Sequence, residues 1–225
     1  MNTNKDFEKF YRSRHPFGMS FYRDYTRKAV SGIISPYIIE EHAMNVAQMD
    51  VFSRLMKDRQ IMFGTDVNSD SANIIVSQLL YLNSVSDEEI TMYVNSPGGS
   101  VYDGNGILDT MAFIKADVRT ICTGLAASMG SMILMCGTRG KRSALPLSRV
   151  MIHQPLGGCQ GQATEIKIGY EELMRVREEL YSLIVQRTGQ PIEKVREDCE
   201  RDHWLTADKA KEYGIIDEVI KIERD

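Results

Sequence analysis

The chain has 225 residues, 43% of them hydrophobic, and a formal net charge of −4 at pH 7. This length suits one domain or a domain with a small appendage, and the net negative charge argues against a dedicated nucleic-acid-binding protein, which would be basic. No apolar run reaches the roughly 18 residues that a membrane helix needs. Four scattered cysteines without a Cys-x-x-Cys pair predict neither a zinc site nor a disulfide framework, so a reducing cytoplasm is the simplest location.

Residues 1–31 differ in composition from the rest of the chain. Aromatic and basic residues alternate there without a sustained helical or strand period, and the apolar core of a secretory signal is missing. Basic residues between aromatic ones could stack on single-stranded nucleic acid, but a flexible or removable extension is the simpler interpretation. We therefore predict an N-terminal extension over residues 1–31 and a single domain over residues 32–225.

A helix is predicted near residues 51–57, and short strands then alternate with amphipathic helices. The strands are expected at 60–63, 90–94, 118–122, 142–145 and 149–152, and the helices at 71–82, 101–114, 128–135 and 164–187. Such alternation implies parallel crossovers and hence an α/β layered fold. A short helix capped by Thr206 and an apolar strand over Ile215–Ile220 close the chain.

Small residues surround Ser128 at one predicted strand-to-helix junction. Residues 126–130 read Ala-Ala-Ser-Met-Gly, and a sharp turn there would lift the serine hydroxyl clear at a helix N-terminus. This is the logic of a nucleophile elbow, although Ala126 replaces the first glycine of the usual Gly-x-Ser-x-Gly. Small residues at such a turn more often serve packing, so Ser128 needs a base and an orienting carboxylate to become a candidate nucleophile.

His153 is the best placed of the four histidines to act as that base. It directly follows the apolar strand 149–152, which puts a titratable ring at the mouth of a sheet. Asp202 is the candidate carboxylate, although its charged neighbours are also typical of a solvated helix end. The Pro97-Gly98-Gly99 turn and Met129 can each supply a backbone N–H for an oxyanion hole.

The Gly-rich stretch Leu156–Gln162 allows two interpretations. It is either a flexible loop or an extended ribbon that leaves room for another backbone. Cys159, within this stretch, is an alternative nucleophile, but no helix N-terminus is evident there to lower the pKa of its thiol.

These segments together resemble the proteolytic subunit of the Clp protease, the ClpP family of serine peptidases. The resemblance runs from about residue 34 to residue 219. Its motifs stand in order at family spacing: Phe52–Arg59, Asn95–Gly99, Ala126–Ser131, Met151–Pro155, Gly161–Ala163, Glu200–Asp202 and Ala207–Asp217.

The resemblance implies a crotonase-like α/β fold of repeated ββα units with a protruding helix-plus-strand handle. It implies Ser128 as nucleophile, His153 as general base and acid, and Asp202 as the carboxylate that orients the imidazole. The oxyanion hole would consist of the backbone N–H groups of Gly99 and Met129. The substrate-binding residues would be Gly98, Val101, Pro155, Leu156 and Gly157. No metal or cofactor is expected.

The same resemblance implies a chamber built from two stacked seven-membered rings, with residues 1–31 as a propeptide. Peptides and unfolded proteins would be cleaved inside, and a separate AAA+ unfoldase of the ClpX or ClpA/ClpC type would feed folded proteins in. No nucleic-acid or membrane partner is expected. Thr91, Thr123 and Ser143 depart from the larger residues usual in the ATPase docking cleft. Five residues fit that cleft: Tyr93, Phe113, Ile121, Leu145 and Ile220.

Two other functions are compatible with such a fold. A crotonase-like acyl-thioester enzyme would use paired backbone N–H groups to hold an enolate and would need no Ser-His-Asp set. A degenerate ring subunit would serve as a scaffold without catalysis, which an intact triad argues against.

Overall fold

The computed structural model describes residues 37–42 and 45–222 of the chain. The predicted extension over residues 1–31 lies outside them, so its role as a propeptide stays a prediction. The chain divides into two units, Met1–Val51 and Phe52–Asp225. In the first unit, strand β1 (Tyr37–His42) pairs antiparallel with strand β2 (Asn45–Asp50). This pair was not predicted from the sequence.

The second unit alternates strands and helices, as predicted. Its strands β3 to β9 are Gln60–Phe63, Ile90–Ser96, Val118–Ala127, Arg142–Ala144, Arg149–Ile152, His203–Thr206 and Glu218–Val219. Helix α1 (Val51–Lys57) spans the boundary between the units. The helices α2 to α7 are Ser69–Val85, Val101–Phe113, Met129–Met135, Ala163–Thr188, Ile192–Asp198 and Ala207–Tyr213.

The strands β3, β4, β5, β6 and β9 form a parallel sheet in that order. Strand β5 is shared between two partners, because residues 120–122 pair with β6 and residues 125–127 pair with β7. Strand β8 runs antiparallel to β7. The second half of β5 thus leads to Ser128, at a point where β7 and β8 lie alongside.

The hydrophobic core centres on α4, all seven residues of which are buried. This short helix packs against β4, β5, α3 and α5. Its apolar sequence, Met-Gly-Ser-Met-Ile-Leu-Met, has no polar face, as expected for a helix enclosed on all sides. Because this helix is completely buried, its position is fixed. The position of Ser128, the residue before it, is therefore fixed as well.

Helix α5 has an exposed half and a buried half. Its buried side chains lie toward the C-terminal end, at Val176, Leu180, Tyr181 and Ile184. The earlier turns expose large apolar side chains, among them Ile168, which is 62% exposed. This arrangement fits the predicted handle. No helix among the described residues is both long and apolar enough to cross a membrane.

Two element predictions need correction. Strand β5 continues to Ala127 instead of ending at Cys122, because residues 125–127 pair with β7 and Ala126 pairs with Ser96 of β4 beyond a bulge. The predicted strand Ile215–Ile220 is reduced to Glu218–Val219, while Ile215 and Ile216 are buried in the turn after α7. The stretch 156–162, for which a loop and an extended ribbon were both open, forms neither a strand nor a helix in this chain.

Candidate active site

Ser128 occupies a strained turn between β5 and α4. Its φ is 52° and its ψ is −124°, a conformation that non-glycine residues rarely adopt. The turn is held on both sides, since the Ser128 N–H donates to Met151 O at 2.9 Å and the Ser128 carbonyl accepts from the Ser131 hydroxyl at 2.7 Å. The predicted elbow geometry is therefore present, with Ser128 immediately before the helix.

Gly130 lets this turn pack tightly against β4. A Cβ at Gly130 would lie 2.7 Å from the backbone oxygen of Ser96, closer than real side chains approach. The glycine of the elbow therefore serves a close contact between helix α4 and strand β4.

His153 links the serine to the carboxylate. Its Nε2 lies 2.9 Å from Ser128 Oγ and its Nδ1 lies 2.9 Å from Asp202 Oδ1. An Nδ1–H that donates to Asp202 leaves Nε2 free to accept the serine proton. The structure thus brings together all three residues that the sequence analysis selected, in the order that a Ser-His-Asp set requires.

The pairing of β7 with β8 explains why His153 meets Asp202. Ile152 lies opposite His203 in this antiparallel pair. In an antiparallel register the next opposed pair is one residue later on one strand and one residue earlier on the other. That pair is His153 and Asp202, so the register of the two strands places the imidazole beside the carboxylate.

The Pro97-Gly98-Gly99 turn lies against the elbow. A Cβ at Gly98 would be 2.6 Å from Ala127 O and 2.8 Å from Met129 N, and φ at this glycine is 87°. Only a glycine allows this approach. The Gly98 carbonyl accepts from the Val67 N–H and the Ser100 N–H donates to Val67 O.

This bonding pattern orients Gly99 as well. In a parallel bridge, the residue between the two bonded groups directs its own N–H to the opposite side. Gly99 bridges Val67 in this way, so its N–H points away from Val67. Gly99 also lines the cavity that contains Ser128.

Ser128 and His153 open onto a cavity of about 650 Å³ between the 97–102 turn, the 155–159 segment and helix α5. All five predicted substrate-binding residues line this cavity: Gly98, Val101, Pro155, Leu156 and Gly157. A narrower apolar pocket adjoins Ser128 and His153, with Met129, Met132, Leu180 and Ile184 in its wall. The site can therefore hold an extended chain beside a reactive hydroxyl.

Tyr102 and Glu172 also lie in the cavity wall, although no sequence motif pointed to them. The Tyr102 hydroxyl donates to Glu172 Oε1 at 3.0 Å, which joins α3 to α5 across 70 residues of sequence. This hydrogen bond raises the pKa of Tyr102. Because the two residues meet only through the folding of distant helices, no local pattern could have found them.

Cys159 also lines the cavity and is exposed. Both ring nitrogens of His153 contact other residues, Ser128 and Asp202. The imidazole is therefore paired with the serine and not with Cys159. The other three cysteines are buried. Burial raises the pKa of Cys136 to about 11 and that of Cys199 to about 12, consistent with apolar packing residues.

The predicted docking residues lie away from the cavity, along the sheet and at the end of α3. Tyr93 and Ile121 are neighbours in the β4–β5 register. Phe113 is 79% exposed, and Tyr93, Leu145 and Ile220 are half-buried. Ile121 is only 8% exposed, so within this chain it offers little surface to a partner.

A serine, an imidazole and a carboxylate hydrogen-bonded in series are the arrangement of a serine hydrolase. The Clp protease family model matches residues 42–223, so the chain belongs to the Clp protease family. The predictions of this family and of its crotonase-like α/β fold are therefore confirmed.

Curated relatives point the same way. The chain is 57% identical over 202 residues to a protein of Porphyromonas gingivalis named ATP-dependent Clp protease proteolytic subunit, covering 89% of this chain and 90% of that protein. Proteins of the same name from Bacteroides fragilis (strain YCH46) and Bacteroides thetaiotaomicron are each 53% identical over 216 residues. Those alignments cover 96% of this chain and 98% of each relative.

Proposed function

We propose that this chain is the serine peptidase subunit of an ATP-dependent Clp protease and hydrolyses peptide bonds through an acyl-enzyme. The observation that carries the proposal is the hydrogen-bond series from Ser128 Oγ through His153 to Asp202, at the wall of a cavity of about 650 Å³. Membership of the Clp protease family supports it. The acyl-thioester and scaffold alternatives would give these three side chains no catalytic role.

In the proposed reaction, His153 Nε2 takes the proton of Ser128 as Oγ attacks the scissile carbonyl carbon. The negative charge that develops on the carbonyl oxygen is stabilised by the N–H groups of Gly99 and Met129. Asp202 holds the imidazole in the required tautomer and stabilises its positive charge. His153 then gives the proton to the leaving amine, which departs and leaves the acyl group on Ser128.

Deacylation repeats these steps with water as the nucleophile. Water enters where the amine has left, His153 takes one of its protons, and the resulting hydroxide attacks the acyl carbon. The second tetrahedral species collapses when the protonated imidazole returns the proton to Ser128 Oγ. The products are a free carboxylic acid and the regenerated serine.

The substrate backbone lies extended between the 98–101 and 155–157 segments in this proposal. Both segments line the cavity, and the second forms no strand within this chain. A bound peptide can therefore pair with it as an added strand.

The proposed partners follow from the family. The chain associates with an ATPase, an AAA+ unfoldase of the ClpX or ClpA/ClpC type, and assembles into two stacked seven-membered rings in the cytoplasm. The proposed docking region consists of the half-buried Tyr93, Leu145 and Ile220 together with the exposed Phe113. Residues 1–31 are proposed as a propeptide and residues 32–225 as the proteolytic domain.

Ser128→Ala tests the proposed nucleophile. The variant should lose peptide hydrolysis by a factor on the order of 10⁴ to 10⁶ and should not be labelled by a fluorophosphonate probe, because the alanine has no hydroxyl to react. Ser77→Ala is the control, because it removes from helix α2 a serine hydroxyl that donates to Asn73 O. This variant should behave as the wild type in both assays. Full labelling of Ser128→Ala would overturn the assignment.

A further inference from the structure

Asp202 lies in a more exposed place than its histidine partner. The Asp202 side chain is 59% exposed, against 14% for His153, and it follows the turn that leaves helix α6. A carboxylate in such a place can turn toward water instead of toward an imidazole. Its direction therefore depends on what holds the backbone of the turn.

Gln154, the residue after His153, holds that turn by two hydrogen bonds. Its backbone N–H donates to Cys199 O at 2.7 Å, and its side-chain Nε2 donates to Glu200 O at 3.0 Å. The two acceptors are consecutive carbonyls of the segment that leads to Asp202. The side-chain bond adds to the register of β7 and β8, which begins only at His203.

We infer that Gln154 is a positioning residue: its side-chain amide anchors the 199–201 turn so that the Asp202 carboxylate faces Nδ1 of His153. This inference rests on the proposed peptidase function. Gln154 does not line the described substrate cavity, so its action on the reaction passes through Asp202. The main-chain bond survives any substitution other than proline, which isolates the contribution of the side-chain amide.

Gln154→Met tests the side-chain bond. Methionine has a similar length but no amide donor, so Asp202 should sample directions that leave the imidazole unoriented. We expect kcat for a peptide substrate to fall roughly threefold to tenfold, the range for one neutral hydrogen bond, with KM within about twofold of the wild type. An unchanged kcat would overturn the inference, and so would a rise in KM as large as the fall in kcat.

Gln190→Met is the matched control. The Gln190 side chain is also half-buried and its Nε2 donates to a backbone carbonyl, that of Tyr213, at the same 3.0 Å. The substitution removes the same kind of bond at a place that holds no triad residue. It should leave kcat unchanged, and an equal fall in both variants would show that the effect is general loss of structure.

Gln154→Glu provides a readout that simple destabilisation would not move. An ionised carboxylate cannot donate to Glu200 O and is repelled by it, whereas the protonated acid can donate. The peptidase activity of this variant, divided by that of the wild type at the same pH, should therefore rise as pH falls from about 6 to about 4, through the ordinary pKa range of a glutamate carboxyl. Gln190→Glu should give a flat ratio, and a flat ratio for Gln154→Glu would overturn the inference.

The two proposals fail in different ways. If the wild type hydrolyses no peptide and Ser128→Ala is labelled as well as the wild type, the proposed function fails. If the wild type is active, Ser128→Ala is inactive and Gln154→Met matches the wild type in kcat, only the role of Gln154 fails.

Discussion

At the scale of single residues, the site depends on an unfavourable backbone conformation at Ser128 that its surroundings hold in place. A positive φ at a serine costs on the order of 1–3 kcal/mol. The buried helix α4 and the close contact of Gly130 with Ser96 O resist relaxation of the turn. Strain of this kind directs the hydroxyl toward His153 Nε2.

Gly130→Ala should release or displace the elbow. Its Cβ would overlap the Ser96 carbonyl, which is backbone and cannot move aside easily, so we expect a loss of about 1–3 kcal/mol in the free energy of unfolding and a lower kcat. Gly106→Ala in α3 is the matched control, because no atom lies within 4 Å of its Cβ. There alanine should stabilise the helix by about 0.5–1 kcal/mol. Denaturant unfolding and peptide hydrolysis measure both, and equal stabilities would contradict the prediction.

At the scale of elements, Arg142 connects strand β6, which contains it, to helix α4, to helix α5 and to the segment before strand β9. Its guanidinium contacts both carboxylate oxygens of Asp217, just before β9, at 2.6 and 3.0 Å. It also donates to Met135 O at the end of α4 and to Arg187 O near the end of α5. Strand β6 thereby holds the catalytic helix, the handle helix and the C-terminal strand.

Asp217→Asn should destabilise the chain in a pH-dependent way. Burial alone would raise the pKa of Asp217, but the hydrogen bonds from Arg142 outweigh it and the pKa is lowered. A carboxyl group with a lowered pKa contributes stability above its unfolded pKa and loses it as pH falls through the folded pKa. The wild type should exceed the variant by about 1–3 kcal/mol at pH 5 and above, and the difference should shrink below about pH 4.

Denaturant unfolding of the wild type and Asp217→Asn across this pH range measures the difference. Asp208→Asn removes an exposed carboxylate from α7 and should show no comparable loss at neutral pH. A wild-type advantage that grows as the pH falls would contradict the prediction.

Periodicity and turn residues were enough to predict most helices and strands of the second unit. Gly189 ends α5 with a φ of 78°, and Thr206 caps α7, as their residue types indicate. The extension of β5 to Ala127 could not be read from Gly-Leu-Ala-Ala, which has little strand preference. It depends on pairing with residues 149–151 of β7, which come later in the chain.

The candidate site was also predictable only in part, because local motifs can be read from the sequence and long-range contacts cannot. Ser128, His153 and Asp202 stand in motifs that resemble a known family, and their contacts agree with that expectation. Tyr102, Glu172 and the bonds of Gln154 arise where distant segments meet. Only the folded chain reveals them, because no short pattern encodes contacts between such segments.

At the scale of the whole molecule, the exposed half of α5 is unusual for an isolated chain. Ile166, Ile168 and Tyr170, at every second position within five residues of the helix, are 43%, 62% and 57% exposed. Large exposed apolar side chains grouped in this way are typical of protein interfaces. Together with family membership, they support the proposed contact between stacked rings.

Ile168→Glu should weaken that assembly. A carboxylate there would have to lose its water on association, so we expect the native mass to fall to about half that of the wild type and peptidase activity to fall with it. Native mass spectrometry at several protein concentrations measures this. Lys209→Glu on α7 introduces the same residue at another exposed position and should leave the mass unchanged. An undiminished mass in Ile168→Glu would contradict the proposed interface.

The register of β7 against β8 also bears on how this chain tolerates insertions and deletions. His153 and Asp202 are opposed because they continue the pair Ile152 and His203, and not because 49 residues separate them. A handle lengthened or shortened by whole turns would leave the two groups facing each other. One residue added between Asp202 and His203 would instead move Asp202 out of register. The length of the handle is therefore free to vary, whereas the junction at Asp202 is fixed.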